Sequence, residues 1–320
     1  MRLPRLSPTA YRRVTVVALV LLAGIVVTGA AVRLTDSGLG CSDWPNCESG
    51  HLVAPLRWHS MVEFFNRIFT ALVSLVVIVA VLGSLARVPR RRDLTVLSIG
   101  LVAGVLGQIV LGGITVLTHL NPIAVQGHFI LSMALVADSV LLHHRAAGEP
   151  PFRPIVPTAV RRHAFAIAAL VGLAVATGTI VTGTGPHGGD ERAHRFHFAI
   201  TSVARLHSAT VILAVAALLW LMLRLRGTQA WPVLESATGT LLFVSFLQGT
   251  IGYAQYFSGV PAFLVLVHIV GALGVWIAAV RLVLATAAGV QALTLGSTEL
   301  NERRSRSTTT SWAGAGRPSR

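Results

Sequence analysis

Residues 106–117, LGQIVLGGITVL, and residues 246–257, FLQGTIGYAQYF, read alike at an offset of 140. Each carries a glutamine followed four positions later by a glycine (Gln108 and Gly112, Gln248 and Gly252), and 20 positions after each glutamine comes a histidine, His128 or His268. Further out, NRIFTALVSLVVIVAV from Asn66 overlays HSATVILAVAALLWLM from His207 at an offset of 141, and Thr28-Gly29 falls on Thr177-Gly178. Membrane helices built from Leu, Val, Ala and Gly resemble one another trivially. Polar residues recurring at one offset do not follow from composition, so an internal repeat is the better reading.

Of the 320 residues, 53% are hydrophobic and only 12% charged, with a mean hydropathy of +0.71. A soluble domain carries about 25% charged residues, so a water-soluble enzyme is a poor fit. Apolar runs lie near 14–34, 61–86, 94–118, 123–143, 163–183, 198–223, 233–257 and 261–288, each long enough to cross a bilayer as a helix. The predicted fold is an all-α membrane protein of eight transmembrane helices, arranged as two parallel four-helix-bundle repeats. An even number of crossings per repeat lets both copies enter from the same side, related by an axis along the membrane normal. The expected divisions are a cytoplasmic N-terminus (1–13), a first repeat (14–143), a cytoplasmic linker (144–162), a second repeat (163–288) and a Ser/Thr/Arg-rich disordered tail (289–320).

The formal charge of +14 would suggest nucleic acid as a partner in a soluble protein. All 26 basic residues are arginine, and their placement accounts for the charge differently. Arg2, Arg5, Arg12, Arg13, the Arg87/Arg90/Arg91/Arg92 group, Arg145, Arg153, Arg161, Arg162, Arg224, Arg226 and the C-terminal arginines share one face of the eight-span reading. The other face receives Arg33, Arg57, Arg192 and Arg195. The positive-inside rule then puts both termini in the cytoplasm of a chain that crosses the cell membrane repeatedly, and no nucleic-acid role is expected. The first span is long enough to read as a retained helix rather than a signal peptide.

Ionisable residues inside spans are costly and mark function by default, and five stand out: Glu63, Arg67, His128, His207 and His268. All lie two or three turns from the outer helix ends, roughly 10–15 Å deep. One such histidine alone commonly hydrogen-bonds a neighbour. Three at one depth, two of them related by the repeat, point to ligands, and imidazole is the common axial ligand of haem iron. His207 and His268 would clamp one haem in the second repeat, and the matching pair in the first is Asn66 and His128. Cys41 and Cys47 sit in the first outer loop, where a structural disulfide is expected and a redox-active pair is the alternative. No C-x-x-C-H motif is present, so covalent haem attachment is not indicated. For His51, His59, His119, His187, His194 and His197 at the outer side, and His143, His144 and His163 at the inner ends, solvation suffices, although His59 and His197 are placed to touch a cofactor edge.

At TGAAVRLTDSGLGCSDWPNC (28–47), EFFNR (63–67), GHF around His128, RLH ending at His207 and VHIVGALGVW around His268, the chain resembles the haem A synthase family of respiratory assembly proteins. The resemblance covers residues 14–288. It implies a membrane enzyme that oxidises the C8 methyl of haem O to the formyl group of haem A for cytochrome oxidase. It also implies a retained haem b in the C-terminal half, on His207 and His268, and substrate haem O in the N-terminal half, with His128 at its iron. The family's first-half motif is a Glu followed by His-Arg, and Asn66 stands here where the His is usual. One His and one Asn suit a haem that must come and go, while two His suit a haem that stays. On this resemblance Glu63 is the expected catalytic residue, as proton acceptor or as a positioner of the reacting methyl. Arg67 and Arg205, with Arg33 or Arg57 nearer the surface, are candidate partners of haem propionates, their plain alternative being to pair with Glu63 or cap backbone. Expected partners are haem O and haem A, membrane lipid, haem O synthase, other cytochrome oxidase assembly factors and a second copy of the chain. A non-catalytic b-type cytochrome or haem carrier explains the histidines but not Glu63, and a transporter explains the repeat and the buried charge, but repeated Gly/Pro-interrupted helices near the midplane are not evident.

Overall fold

A computed structural model describes residues 5–48 and 53–289. Arg2, His51 and the tail expected beyond Gly289 lie outside these residues. The described chain forms eight long helices: α1 (Pro8–Leu34), α2 (Trp58–Ala86), α3 (Arg92–Leu117), α4 (Pro122–Ala147), α5 (Thr158–Thr184), α6 (Ile200–Leu225), α7 (Trp231–Phe257) and α8 (Ala262–Leu284). Two short strands, β1 (Arg153–Pro154) and β2 (Ala287–Ala288), pair antiparallel and tie the α4–α5 connection to the end of α8.

Seven of the eight helices are long and apolar enough to cross a membrane. The exception is α7, as long as its neighbours but carrying Glu235, Ser245, Gln248 and Gln255 among its apolar residues. Several helices extend past the apolar runs because their ends are capped in polar sequence. Ser7 accepts from Ala10 N and Pro8 opens α1, and Asn121 accepts from Ile123 N ahead of Pro122 at α4. A helix satisfies its own backbone hydrogen bonds, which lets its outward face be apolar. Val17, Leu75, Ile99, Leu106, Ile212, Phe243 and Phe263 are among the large exposed hydrophobic residues.

Inside, the packing falls into two cores and a seam. The first core joins Tyr11 and Leu22 of α1, Val73 and Val77 of α2, Leu94 and Leu101 of α3, and Leu135 and Leu142 of α4. The second joins Ile167, Leu218, Leu234, Leu241 and Leu282 from α5 to α8. Between them Val26, Met133, Val136, Val140 and Leu273 pack with Trp276, whose Nε1 donates to Met133 O at 2.7 Å. In the first half α1 contacts α2 and α4, and α3 contacts α2 and α4; in the second, α5 contacts α6 and α8, and α7 contacts α6 and α8. The halves meet through α4 against α5 and α8, and α1 against α8.

The arginine-rich ends are joined by backbone and side chains. Leu6 bridges to Arg87, Arg91 donates to Gly148 O, and Arg87 lies 3.6 Å from Glu149. At the opposite end the α1–α2 and α5–α6 connections of the two halves interlock. Arg33 donates to His187 O (2.7 Å) and Thr182 O (2.8 Å), and Gly38 N donates to Gly189 O (2.8 Å). Gly189 holds φ +99° there, a conformation that glycine adopts without a Cβ penalty.

Candidate functional site

His207 lies seven residues into α6 and His268 six residues into α8, each about 10 Å from its helix start at 1.5 Å per residue. Their ring centroids are 6.4 Å apart with planes at 77°. Thr177 Oγ1 on α5 is 3.3 Å from His207 Nδ1 and 3.1 Å from Thr210 Oγ1. Gln248 Nε2 on α7 is 3.0 Å from His268 Nδ1 and donates to His268 O at 2.8 Å. With each Nδ1 engaged from the neighbouring helix, Nε2 is the free nitrogen on both rings. Two glycines make the room: a Cβ on Gly178 would stand 3.1 Å from His207 Cε1, and one on Gly252 would stand 2.9 Å from His268 Cε1.

With ring centroids 6.4 Å apart, the two imidazoles are close enough that both would hold one metal. A bare ion would want more protein ligands, and among the described residues no three His, Cys, Asp or Glu side chains converge. Two facing imidazoles fit a metal that brings its other ligands with it, as haem iron does.

The matching positions of the first half are built differently. Asn66 Oδ1 on α2 accepts from Thr28 Oγ1 on α1 at 2.8 Å. His128 on α4 faces Gly112 on α3, whose Cβ would stand 3.5 Å from His128 Cε1. Gln108 donates to His128 O at 3.1 Å, but its other contact is Ser132 Oγ. His128 Nδ1 is buried and has no hydrogen-bond partner among the described residues.

Glu63 is buried near the N-terminal end of α2 with both oxygens engaged. Oε2 accepts from Cys41 N at 2.8 Å, and Oε1 accepts from Arg67 Nη2 at 2.6 Å and Nε at 3.2 Å. Arg67 also donates to Pro45 O, Asn46 O and Asp43 O, at 3.0–3.2 Å. These bonds hold the loop closed by the Cys41–Cys47 disulfide, and Trp44 of that loop seats on α3 where a Cβ on Gly113 would stand 2.9 Å from its ring. The guanidinium of Arg67, a candidate propionate partner, thus faces the loop. Arg33 is likewise committed to backbone carbonyls, Arg57 pairs with Glu48 at 3.7 Å, and Arg205 is exposed on α6. Of the other histidines, His59 Nδ1 is 3.0 Å from Ser37 Oγ, His143 Nδ1 is 3.0 Å from Thr15 Oγ1, and His187 Nε2 is 2.8 Å from Val260 O.

In the sequence Thr28, Thr177 and the two glutamines stand out only as marks of the repeat, and their contacts to Asn66, His207 and His268 are not legible there. Sequence reasoning also passes over Asp138 in α4, which lies against Gly100 of α3, its Oδ2 2.9 Å from where a Cβ would stand. A carboxylate inside an apolar helix was the available signal.

With this geometry in place, similarity to known proteins can be stated. The sequence model of a family described as cytochrome oxidase assembly protein (COX15-CtaA) matches residues 12–60 and 55–186. A heme A synthase of Exiguobacterium sibiricum is 26% identical over 166 residues, 50% of this chain and 55% of the relative. One of Shewanella oneidensis is 29% identical over 187 residues, 52% of this chain and 54% of the relative. One of Listeria monocytogenes is 28% identical over 279 residues, 79% of this chain and 88% of the relative. The chain spans about half the length of the first two of these relatives.

Proposed function

The chain belongs to the COX15-CtaA family of cytochrome oxidase assembly proteins, and from that premise we propose that it is a haem A synthase, an enzyme that oxidises the C8 methyl of haem O to the formyl group of haem A. The observation that carries this reading is the facing imidazole pair of His207 and His268, 6.4 Å apart, together with its incomplete counterpart at Asn66 and His128. His207 and His268 would hold a haem b, which supplies a one-electron redox centre when bound. His128 would ligate haem O in the first half. Asn66, tied to Thr28, offers no second imidazole there, which keeps the substrate exchangeable.

In this proposal Glu63 acts chiefly through position. Both its oxygens are occupied, and a proton on Oε1 would break the 2.6 Å pair with Arg67, so the carboxylate holds the disulfide loop over the outer end of the first half. We read the two halves as parallel four-helix repeats, divided as 14–143 and 163–288. Equivalent contacts within each half and the recurring Gln–His spacing support this. The arginine distribution supports eight crossings of the cell membrane with both termini in the cytoplasm. Haem O synthase, cytochrome oxidase assembly factors and a second copy of the chain are proposed as protein partners.

The test is haem extraction and chromatography from cells that make haem O, with and without this chain. Haem A is expected only when the chain is present. Unchanged haem O beside purified chain that still carries haem b would overturn the synthase in favour of a non-catalytic cytochrome.

A further inference from the structure

The two glutamines sit at equivalent places and each donates to the carbonyl of its histidine, but their second contacts differ. Gln248 Oε1 lies against Gly271, which leaves no room for a Cβ there, and this brings its amide nitrogen to His268 Nδ1 at 3.0 Å. At the offset of 140, Gly271-Ala272 becomes Leu131-Ser132. Leu131 packs towards Gly107, and Ser132 Oγ takes the amide of Gln108. His128 Nδ1 is left buried without a hydrogen-bond partner among the described residues.

We propose that Gln248 is a positioning residue for His268, and that Gly271-Ala272 against Leu131-Ser132 decides which of the two histidines its neighbouring glutamine supports. The inference rests on the reading of His268 as a haem ligand. Ligation through Nε2 places the ring proton on Nδ1, where it requires an acceptor. Gln248 Oε1 is buried and has no hydrogen-bond partner among the described residues; Nε2 is the atom now at Nδ1 and it also donates to His268 O, so the oxygen reaches Nδ1–H by a turn of the amide that gives up this donation. An acceptor on Nδ1–H makes the imidazole a stronger donor, which favours ferric haem and tight retention. His128, without one, holds its haem weakly, as a substrate site requires.

The test uses the full-length chain purified with haem b. Gln248→Leu removes the acceptor, and Gly271→Ala displaces the same side chain without altering it. Each is expected to raise the haem midpoint potential and weaken haem retention about 10- to 100-fold, the usual cost of losing a group that supports a ligating histidine. The double variant should go no further than either single change. Gln248→Glu, with a stronger acceptor, should move the potential the opposite way, a reversal that a packing role would not produce. An unchanged potential and retention in Gln248→Leu and Gly271→Ala, while His268→Ala abolishes haem binding, would overturn the inference and leave the ligand reading standing. Haem retained by His268→Ala would remove the ligand reading and this inference with it.

Discussion

Where the second half sets His207 on α6 against His268 on α8, the first half sets Asn66 on α2 and His128 on α4 at the matching positions. In the second half, polar neighbours converge on the rings: Thr177 reaches His207 and Gln248 reaches His268. In the first half they converge elsewhere. Thr28 holds Asn66, Gln108 turns to Ser132, and Glu63 with Arg67 grips the disulfide loop. The counterparts of Glu63 and Arg67 at the offset of 141 are Ala204 and Ser208, so the loop anchor exists once. A site that keeps its occupant can be ordered by ligands; one that exchanges it must be ordered from around the rim.

The sharpest break in this comparison is removal of an imidazole. His207→Ala and His268→Ala should each abolish the low-spin haem b spectrum of the purified protein, because neither ring alone fills both axial positions. A spectrum that survives both changes would place the retained haem elsewhere. The next largest effect comes from making the halves alike. Asn66→His restores an imidazole pair in the first half, so haem per purified chain should roughly double while haem A output in cells falls. Unchanged haem content would mean that Asn66 does not face the substrate site.

The helices were legible because their cause is local. Apolar runs long enough to cross a bilayer, ended by Ser7-Pro8, Asn121-Pro122 and the arginine groups, leave little else for the chain to do. The runs understate helix length, since a helix continues through polar turns such as 8–13 that a bilayer argument does not count. Residues at the site were legible where they repeat, as His128 and His268 do. What stayed hidden depends on neighbours distant in sequence. Arg33 bonds carbonyls about 150 positions away, at Thr182 and His187, and nothing near it announces that. The turn of Gln108 away from His128 is set by residues 131 and 132, read as ordinary lipid-phase sequence. Asp138 was missed for the opposite reason, since its repeat counterpart is Ala278 and a search for recurrence discards it.

The loop anchor gives an effect of intermediate size. Glu63→Ala leaves the Arg67 guanidinium without its counter-ion and Cys41 N without an acceptor, and breaking one side of a buried pair costs about 3–5 kcal/mol. Glu63→Gln keeps an acceptor and should cost less, about 1–3 kcal/mol. Both are read as loss of thermal stability in detergent, with the haem b spectrum at His207 and His268 retained at low temperature. A Glu63→Gln protein as stable as wild type that nevertheless accumulates haem O would instead make Glu63 a proton-handling residue.

The smallest expected effect is that of Trp276→Phe, on the seam between the halves. Trp276 of α8 donates through Nε1 to Met133 O of α4, and its ring also lies near Gly172 of α5, where a Cβ would stand 3.5 Å away. Its counterpart at the offset of 140 is Val136, fully buried in the same seam, so one half reaches across with a hydrogen bond and the other only with a methyl surface. Trp276→Phe keeps most of the packing and removes the donor, which should cost about 1 kcal/mol. Trp276→Ala also opens a cavity and should cost about 3–5 kcal/mol. Thermal denaturation of the two variants separates the contributions, with the haem b spectrum as a control that the second half is intact. If Trp276→Phe is as damaging as Trp276→Ala, the halves are joined mainly by that hydrogen bond. If Trp276→Phe is silent, apolar packing of Val136, Val140 and Leu273 carries the seam, and the asymmetry between Trp276 and Val136 has no energetic weight.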